Sequence, residues 1–170
     1  MISKSLHSEK PKPILLHGIT GSGKTEVYLQ ATRTALNLGK NVIILVPEIS
    51  LAPQTVQRFK ARFHDLTDQI AVLHSHLSQG ERFDEWHRIR AGKARIVIGA
   101  RSAIFAPIKD PGLIIVDEEH EPAYKQENPP KYHARDLAVV RCNLEKCTVV
   151  LGSATPSLET FQNTRLERYQ

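Results

Sequence analysis

The sequence has no long hydrophobic run, and this absence excludes membrane-spanning proteins from consideration. No apolar segment approaches the roughly 20 residues that a transmembrane helix needs. The first dozen residues, MISKSLHSEKPK, are polar and lack the apolar core of a signal peptide. We therefore expect a cytoplasmic protein in which residues 1–12 form a flexible tail.

Cysteine is also scarce, since the chain of 170 residues contains only Cys142 and Cys147. Their C-x4-C spacing inside a predicted helix favours a buried, reduced pair over a metal site. His74 and His76 have no cysteine nearby, which argues against a zinc site at that position as well. We expect no zinc in this chain.

Basic residues outnumber acidic ones, with 23 Lys and Arg against 18 Asp and Glu, which gives a net charge of +5. This balance is compatible with a polyanionic partner. The basic residues are scattered along the chain, so a disordered basic arm is not indicated.

Nearly continuous apolar segments alternate with amphipathic segments along the whole chain. The predicted strands are Ile14–His17, Asn41–Val46, Gln69–Leu73, Arg95–Gly99, Gly112–Asp117 and Cys147–Leu151. The predicted helices are Lys24–Leu38, Ser50–Phe63, Ser78–Ala91 and Arg135–Lys146. The alternation predicts an α/β domain with a mostly parallel central sheet, whose ligands bind beyond the carboxyl ends of the strands. Residues 121–132 are expected to form one long irregular connection.

A glycine-rich segment, GITGSGKT, follows the first predicted strand and matches the G-x4-G-K-T pattern of a phosphate-binding loop. Its glycines allow backbone N–H groups to surround a β-phosphate at the start of the next helix. Lys24 would reach the β- and γ-phosphates, and the Thr25 hydroxyl would bind Mg²⁺. The predicted nucleotide-binding residues are Gly18, Ile19, Thr20, Gly21, Ser22, Gly23, Lys24 and Thr25.

Three acidic residues and a histidine follow a predicted buried strand in LIIVDEEH, residues 113–120. Repulsion and desolvation disfavour such a cluster unless it ends in solvent or binds a cation. Beside a phosphate-binding loop, Asp117 would hold Mg²⁺ and Glu118 would polarise the attacking water. Loop and acids together indicate NTP hydrolysis, with Lys24, Asp117 and Glu118 as the catalytic residues.

Five motifs, in this order and spacing, resemble those of the first motor lobe of superfamily 2 helicases: GITGSGKT, PEISLAPQ, GARSAIFAP, DEEH and GSATPS. The DEEH form, with KYHARDLAV after it, is similar to the bacterial replication-restart helicases of that superfamily. The resemblance implies a RecA-like, three-layer P-loop NTPase domain over residues 13–165. Residues 166–170 would then begin a linker to a second lobe.

The resemblance also implies a function, namely ATP-driven 3′-to-5′ translocation on single-stranded DNA, restart of stalled forks and assembly of the primosome. ATP and Mg²⁺ would be the cofactors. Single-stranded and forked DNA, primosome proteins and single-strand-binding proteins would be the partners. The zinc-binding cysteines of the family, and the second lobe with its arginine finger, match no part of these 170 residues. We therefore expect this chain alone to be a nearly inactive ATPase.

Roles for further residues follow from the same resemblance. Coupling of the nucleotide state to DNA would involve His120, Ser153 and Thr155. Contacts with DNA would involve Pro47, Glu48, Arg101, Ser102, Tyr132 and Arg135. The segment Tyr124–Arg135 matches a loop that senses DNA in this family.

Two other functions use the same phosphate-binding loop. A nucleotide-dependent protein-docking module would have no need for Glu118, so the intact acid pair favours an enzyme. A small-molecule kinase would need an arginine-rich lid, and it would leave the pairing of DEEH with GSATPS unexplained.

The complete loop predicts that the chain binds ADP or ATP with Mg²⁺, and that Lys24→Ala weakens this binding because the phosphates lose their ammonium partner. Isothermal titration calorimetry on both proteins would measure the two affinities. Equal affinities, or no binding by either protein, would contradict the phosphate-loop assignment.

Overall fold

The computed structural model describes residues 1–47 and 53–170, and one parallel sheet organises them. Its strands are β1 (Ile14–His17), β2 (Asn41–Leu45), β3 (Ile70–Leu73), β4 (Ile96–Gly99), β5 (Pro111–Val116) and β8 (Thr148–Ser153). A separate antiparallel hairpin joins β6 (Lys125–Gln126) to β7 (Tyr132–His133). Each strand of the sheet lies within two residues of its predicted bounds.

Among the described residues, helices lie between strands of the sheet and at both ends of the chain. They are α1 (Ile2–Ser5), α2 (Lys24–Asn37), α3 (Pro53–Arg62), α4 (Gln79–Arg90), α5 (Ala134–Glu145) and α6 (Leu158–Arg165). Within residues 1–47 and 53–170, short 3₁₀ segments lie at His64–Gln69, Arg101–Phe105 and Pro122–Tyr124. A capping box starts α4, because the Ser78 side chain accepts from Glu81 N and the Glu81 carboxylate accepts from Ser78 N.

The strand order is β1-β8-β5-β2-β4-β3, and every pairing within this sheet is parallel. The predicted α/β fold is thereby confirmed. The carboxyl ends of all these strands lie at one edge of the sheet, so the segments that follow β1, β5 and β8 become neighbours although they are far apart in sequence.

Both faces of the sheet are covered, which explains the continuous apolar character of the strands. In β5, Leu113 and Ile115 pack with α2 and α3, whereas Ile114 and Val116 pack with α4 and α5 on the opposite face. All four side chains are fully buried. Helices on either side of a sheet give the three layers that the resemblance to helicase motor lobes implies.

Both ends of the described chain contact the sheet. Residues 2–5, inside the segment expected to be a flexible tail, form one helical turn whose buried Ser5 accepts a hydrogen bond from Thr148 Oγ1 at 3.3 Å. At the other end, Gln170 O accepts from Leu15 N at 2.7 Å, and Gln170 N donates to Pro13 O at 2.8 Å. These bonds place residue 170 beside β1.

Two segments differ from the sequence prediction. Residues 121–132 are not one irregular connection, because they contain a 3₁₀ turn and most of the β6–β7 hairpin. The helix α6 was not predicted, and its start is marked by Ser157, whose side chain accepts from Thr160 N. Hairpin strands of two residues are too short to show an alternating pattern in the sequence. Whether such a segment forms a strand therefore depends on its tertiary contacts.

None of the helices in residues 1–47 and 53–170 is long and apolar enough to cross a membrane.

Candidate nucleotide-binding site and DNA-facing groove

The phosphate-binding loop connects β1 to α2 and relies on two glycines with a left-handed backbone. Gly21 has φ +79° and Gly23, the N-cap of α2, has φ +89°. Glycine adopts these angles at little cost because it has no Cβ. The start of the loop is joined to the end of β8, since Gly18 N donates to Ser153 O at 3.1 Å.

The amide groups of this loop fit a phosphate. Among the described residues, no protein acceptor is found for the N–H groups of Gly21, Gly23, Lys24 and Thr25. These donors surround the N-terminus of α2, where the helix dipole also favours a negative charge. An anion in this loop would therefore receive several backbone hydrogen bonds at once.

Lys24 lies between the loop and the acidic cluster and is only 9% exposed. Its Nζ donates to Gly18 O at 2.8 Å and lies 3.4 Å from Glu118 Oε1. A phosphate bound by the loop would meet an ammonium group that is already oriented, and Glu118 already faces the same space.

Asp117 and Glu118 follow β5 directly, at the carboxyl edge of the sheet. Burial raises the pKa of Asp117, the hydrogen bond from Tyr28 opposes this shift, and the charge of Glu118 adds to it. Glu118 has φ +45°, a left-handed conformation that costs about 1–2 kcal/mol for a residue other than glycine. The Asp117 carboxylate stabilises this turn by accepting from Glu118 N at 3.1 Å.

These residues line a cleft of about 970 Å³. The lining includes residues of the loop together with Asp117 and Glu118, and Arg58, Arg62 and His64 come from α3 and the segment after it. A carboxylate and a threonine hydroxyl are the oxygen donors that Mg²⁺ prefers, and Asp117 and Thr25 both border this cleft. The donor set therefore fits a Mg²⁺-nucleotide.

The predicted coupling residues meet next to this cleft. Ser153 Oγ accepts a hydrogen bond from Thr155 N at 3.0 Å and lies 2.7 Å from His120 Nδ1. Because the oxygen already accepts, the serine O–H is available to donate to the histidine ring. Thr155 contributes its backbone to this contact, whereas its side chain is exposed.

Three of the predicted DNA-contacting residues line one groove at the same edge of the sheet. Pro47, Arg101 and Ser102 border a volume of about 180 Å³, together with Arg82 and Ser75, which the sequence did not single out. Glu48 lies outside the described residues.

Arg101 is held by the loop after the acidic cluster. Its Nη1 donates to Lys125 O at 2.7 Å and lies 3.4 Å from Ala123 O. Its guanidinium carbon is 5.9 Å from the ring centre of Tyr132, and that ring packs edge-on against Phe105 at 5.1 Å. Arg101 therefore connects the groove to the hairpin.

Arg135 is placed differently from the other predicted DNA contacts. It is only 9% exposed, and its Nη1 lies 3.2 Å from Glu119 Oε2. A phosphate contact would require this guanidinium to leave its buried partner.

The chain matches the DEAD/DEAH box helicase family over residues 2–164. It belongs to this family. Membership implies the use of a nucleotide with Mg²⁺.

Individual relatives of the chain have high sequence identity to it. The chain is 54% identical over 169 residues to the replication restart protein PriA of Bacillus subtilis, and 56% identical over 169 residues to that of Chlamydia pneumoniae. These matches cover 99% of this chain but 21% and 22% of the relatives. The resemblance to replication-restart helicases is confirmed, and the chain spans about a fifth of the length of these relatives.

Solved structures give the same fold. The structure of RecG bound to a three-way DNA junction matches with a TM-score of 0.70 and 27% identity, over 98% of this chain and 21% of RecG. The Pyrococcus furiosus Hef helicase domain matches with a TM-score of 0.65 and 21% identity, over 99% of this chain and 37% of that one. The RecA-like helicase fold is thereby confirmed.

One residue of this helicase lobe that the sequence analysis missed is Tyr28. Its hydroxyl donates to Asp117 Oδ1 at 2.9 Å, and its ring is almost completely buried. A Cβ at Gly152 would overlap this hydroxyl, which explains the glycine in the GSATPS motif. The available signal was the spacing, because Tyr28 follows Lys24 by four residues and so lies on the same face of α2.

Tyr28→Phe should raise the Mg²⁺ concentration needed for half-maximal binding of ADP, because Asp117 loses the donor that orients it. We expect this Mg²⁺ concentration to rise about tenfold, which is the lower end of the loss in metal affinity seen when a residue that orients a metal ligand is replaced. Titration of Mg²⁺ against a fluorescent ADP analogue would measure it. Tyr169→Phe, on the other face of the sheet, is the matched control, and an identical Mg²⁺ dependence in both variants would refute the orienting role.

Proposed function

We propose that this chain is the ATP-binding first motor lobe of a cytoplasmic, ATP-dependent 3′-to-5′ DNA helicase that restarts stalled replication forks and assembles the primosome. The observation that carries the proposal is the position of Lys24, Asp117 and Glu118 around one cleft beside a complete phosphate-binding loop. The high identity to PriA over nearly the whole chain supports the specific choice of a restart helicase.

Each catalytic residue has a distinct part in this proposal. The loop amides and Lys24 bind the β- and γ-phosphates and oppose the charge that develops on them during transfer. Asp117, oriented by Tyr28, and Thr25 would hold Mg²⁺, which would supply further charge neutralisation. Glu118 orients the attacking water, and its unusual backbone turns its carboxylate toward Lys24.

The groove of Pro47, Arg101 and Ser102 is the proposed track for single-stranded DNA. Parallel strands bring it to the same sheet edge as the nucleotide cleft, which gives a short path between the two ligands. RecG, 27% identical to this chain, was solved on a three-way DNA junction, which supports forked DNA as a substrate. Primosome proteins and single-strand-binding proteins remain proposed partners of the whole protein.

Strand-separation assays with the full-length product of the gene would test this function. We expect ATP-dependent unwinding of a partial duplex with a 3′ single-stranded tail and little unwinding of its 5′-tailed counterpart. Glu118→Gln should abolish turnover while ATP binding persists, because the amide cannot accept the proton of the water. Unwinding of the 5′-tailed substrate alone, or full activity of Glu118→Gln, would contradict the proposal.

The chain of 170 residues alone should hydrolyse ATP at near-background rates, with or without DNA. An arginine finger contributes about 10³- to 10⁵-fold to the rate, and the resemblance assigns that arginine to a second lobe. A phosphate-release assay on a verified monomer would measure turnover. Robust hydrolysis stimulated by DNA would show that no second lobe is required.

A further inference from the structure

The third acidic residue of the cluster, Glu119, is completely buried and takes part in neither the nucleotide cleft nor the contact between His120 and Ser153. Its carboxylate is nevertheless fully hydrogen-bonded. The donors are Ser157 N at 2.7 Å, Thr160 Oγ1 at 3.0 Å, Ser157 Oγ at 3.1 Å and Arg135 Nη1 at 3.2 Å. A buried carboxylate with this many donors has a well-defined position.

These donors come from parts of the chain that are distant in sequence. Ser157 and Thr160 form the N-cap and first turn of α6, which follows the GSATPS motif. Arg135 lies in the first turn of α5, directly after the β6–β7 hairpin. Glu119 N also donates to Gly152 O at 2.9 Å. One residue thus joins the acidic cluster to the turn after β8, to α6 and to the end of the hairpin loop.

Two of the three guanidinium nitrogens of Arg135, Nε and Nη1, make hydrogen bonds within the protein. Nη1 donates to Ser157 Oγ at 2.6 Å as well as to Glu119, and Nε donates to Asp136 Oδ1 at 2.9 Å. The carboxylate of Glu159 lies 3.9 Å away, but that side chain is 72% exposed. Removing the arginine from this network would leave a charged carboxylate buried without its cation, which is strongly unfavourable.

Stability alone is a weak reason for such a pair, because replacement of buried ion pairs by apolar residues is often neutral or stabilising. The location offers another reason. Glu119 lies between Glu118, which faces Lys24, and His120, which contacts Ser153. Any displacement of Glu119 therefore moves both neighbours.

We propose that Glu119 and Arg135 form a positioning pair that transmits movements of the hairpin to Glu118 and His120, and that Arg135 acts through this pair and not by binding DNA. The inference rests on the proposed helicase function. DNA in the groove would compete with the loop carbonyls for Arg101, the hairpin would shift, and Arg135 at its end would carry the shift to Glu119.

The test compares Glu119→Gln, Arg135→Lys and Asp136→Asn in the full-length product of the gene. Glu119→Gln keeps the shape but removes the charge, and Arg135→Lys keeps the charge but cannot make all the hydrogen bonds. Asp136→Asn is the matched control, because Asp136 also contacts Arg135 but is 63% exposed. ATPase rates at saturating DNA, DNA affinity at several salt concentrations and melting temperatures are measured for each protein.

We expect kcat at saturating DNA to fall by about tenfold in the first two variants, the order of loss typical of residues that orient metal-site ligands. DNA affinity and its salt dependence should stay at the wild-type values, and the control should behave as wild type. Hydrogen exchange at the Ser157 amide should be faster in Glu119→Gln than in the wild type, because this amide donates to the Glu119 carboxylate. The measurement is made under conditions where the variant is folded, and it reports the change in the network independently of turnover.

Other results would overturn the proposal. If Arg135→Lys weakens DNA binding or changes its salt dependence while Glu119→Gln does not, Arg135 contacts DNA directly. If both variants lower only the melting temperature and kcat is unchanged, the pair is purely structural. A wild-type protein without DNA-stimulated ATPase activity would refute the proposed helicase function itself, which is a separate outcome from either of these.

Discussion

Three consecutive carboxylates at the end of a buried strand are the constraint on which this lobe depends. Like charges at this spacing repel, and burial adds a desolvation cost at Asp117 and Glu119, so each carboxylate needs its own partner. Asp117 accepts from Tyr28, Glu118 faces Lys24, and Glu119 is paired with Arg135. Tyr28 and Lys24 belong to α2, and Arg135 belongs to α5. The carboxylates of the cluster therefore fix the positions of both helices relative to the end of β5.

This arrangement links the nucleotide cleft to its surroundings through short, directional contacts. Ser153 contacts the phosphate-binding loop through its carbonyl and His120 through its hydroxyl. Tyr124, fully buried, donates its hydroxyl to Asp117 O at 2.7 Å and so connects the hairpin segment to the start of the cluster. A change at the cleft or at the groove therefore has a physical route to the other site.

The groove and the hairpin share one arginine. Arg101 donates to carbonyl groups of residues 123 and 125 and lies near Tyr132. A guanidinium whose hydrogen bonds to the described residues go to neutral carbonyls can exchange them for phosphate oxygens at small cost, since charge-assisted bonds are stronger. Arg135, paired with a buried carboxylate, cannot make that exchange as easily. Two arginines with the same predicted role thus differ in what they can contact.

The sequence alone predicted the fold class and the residues of the candidate nucleotide site, because both follow from local patterns. Continuous apolar segments specify buried parallel strands, and the G-x4-G-K-T pattern requires its glycines within a few residues of Lys24. Only the tertiary structure showed which side chains contact each other. Tyr28 donates to Asp117, Arg101 donates to the hairpin segment, and Glu119 pairs with Arg135. These residues are distant in sequence, and a parallel sheet brings them together only when its strands assemble in the order β1-β8-β5-β2-β4-β3. A charged or aromatic residue in the sequence shows what it can bind, but its burial and neighbours decide what it does bind.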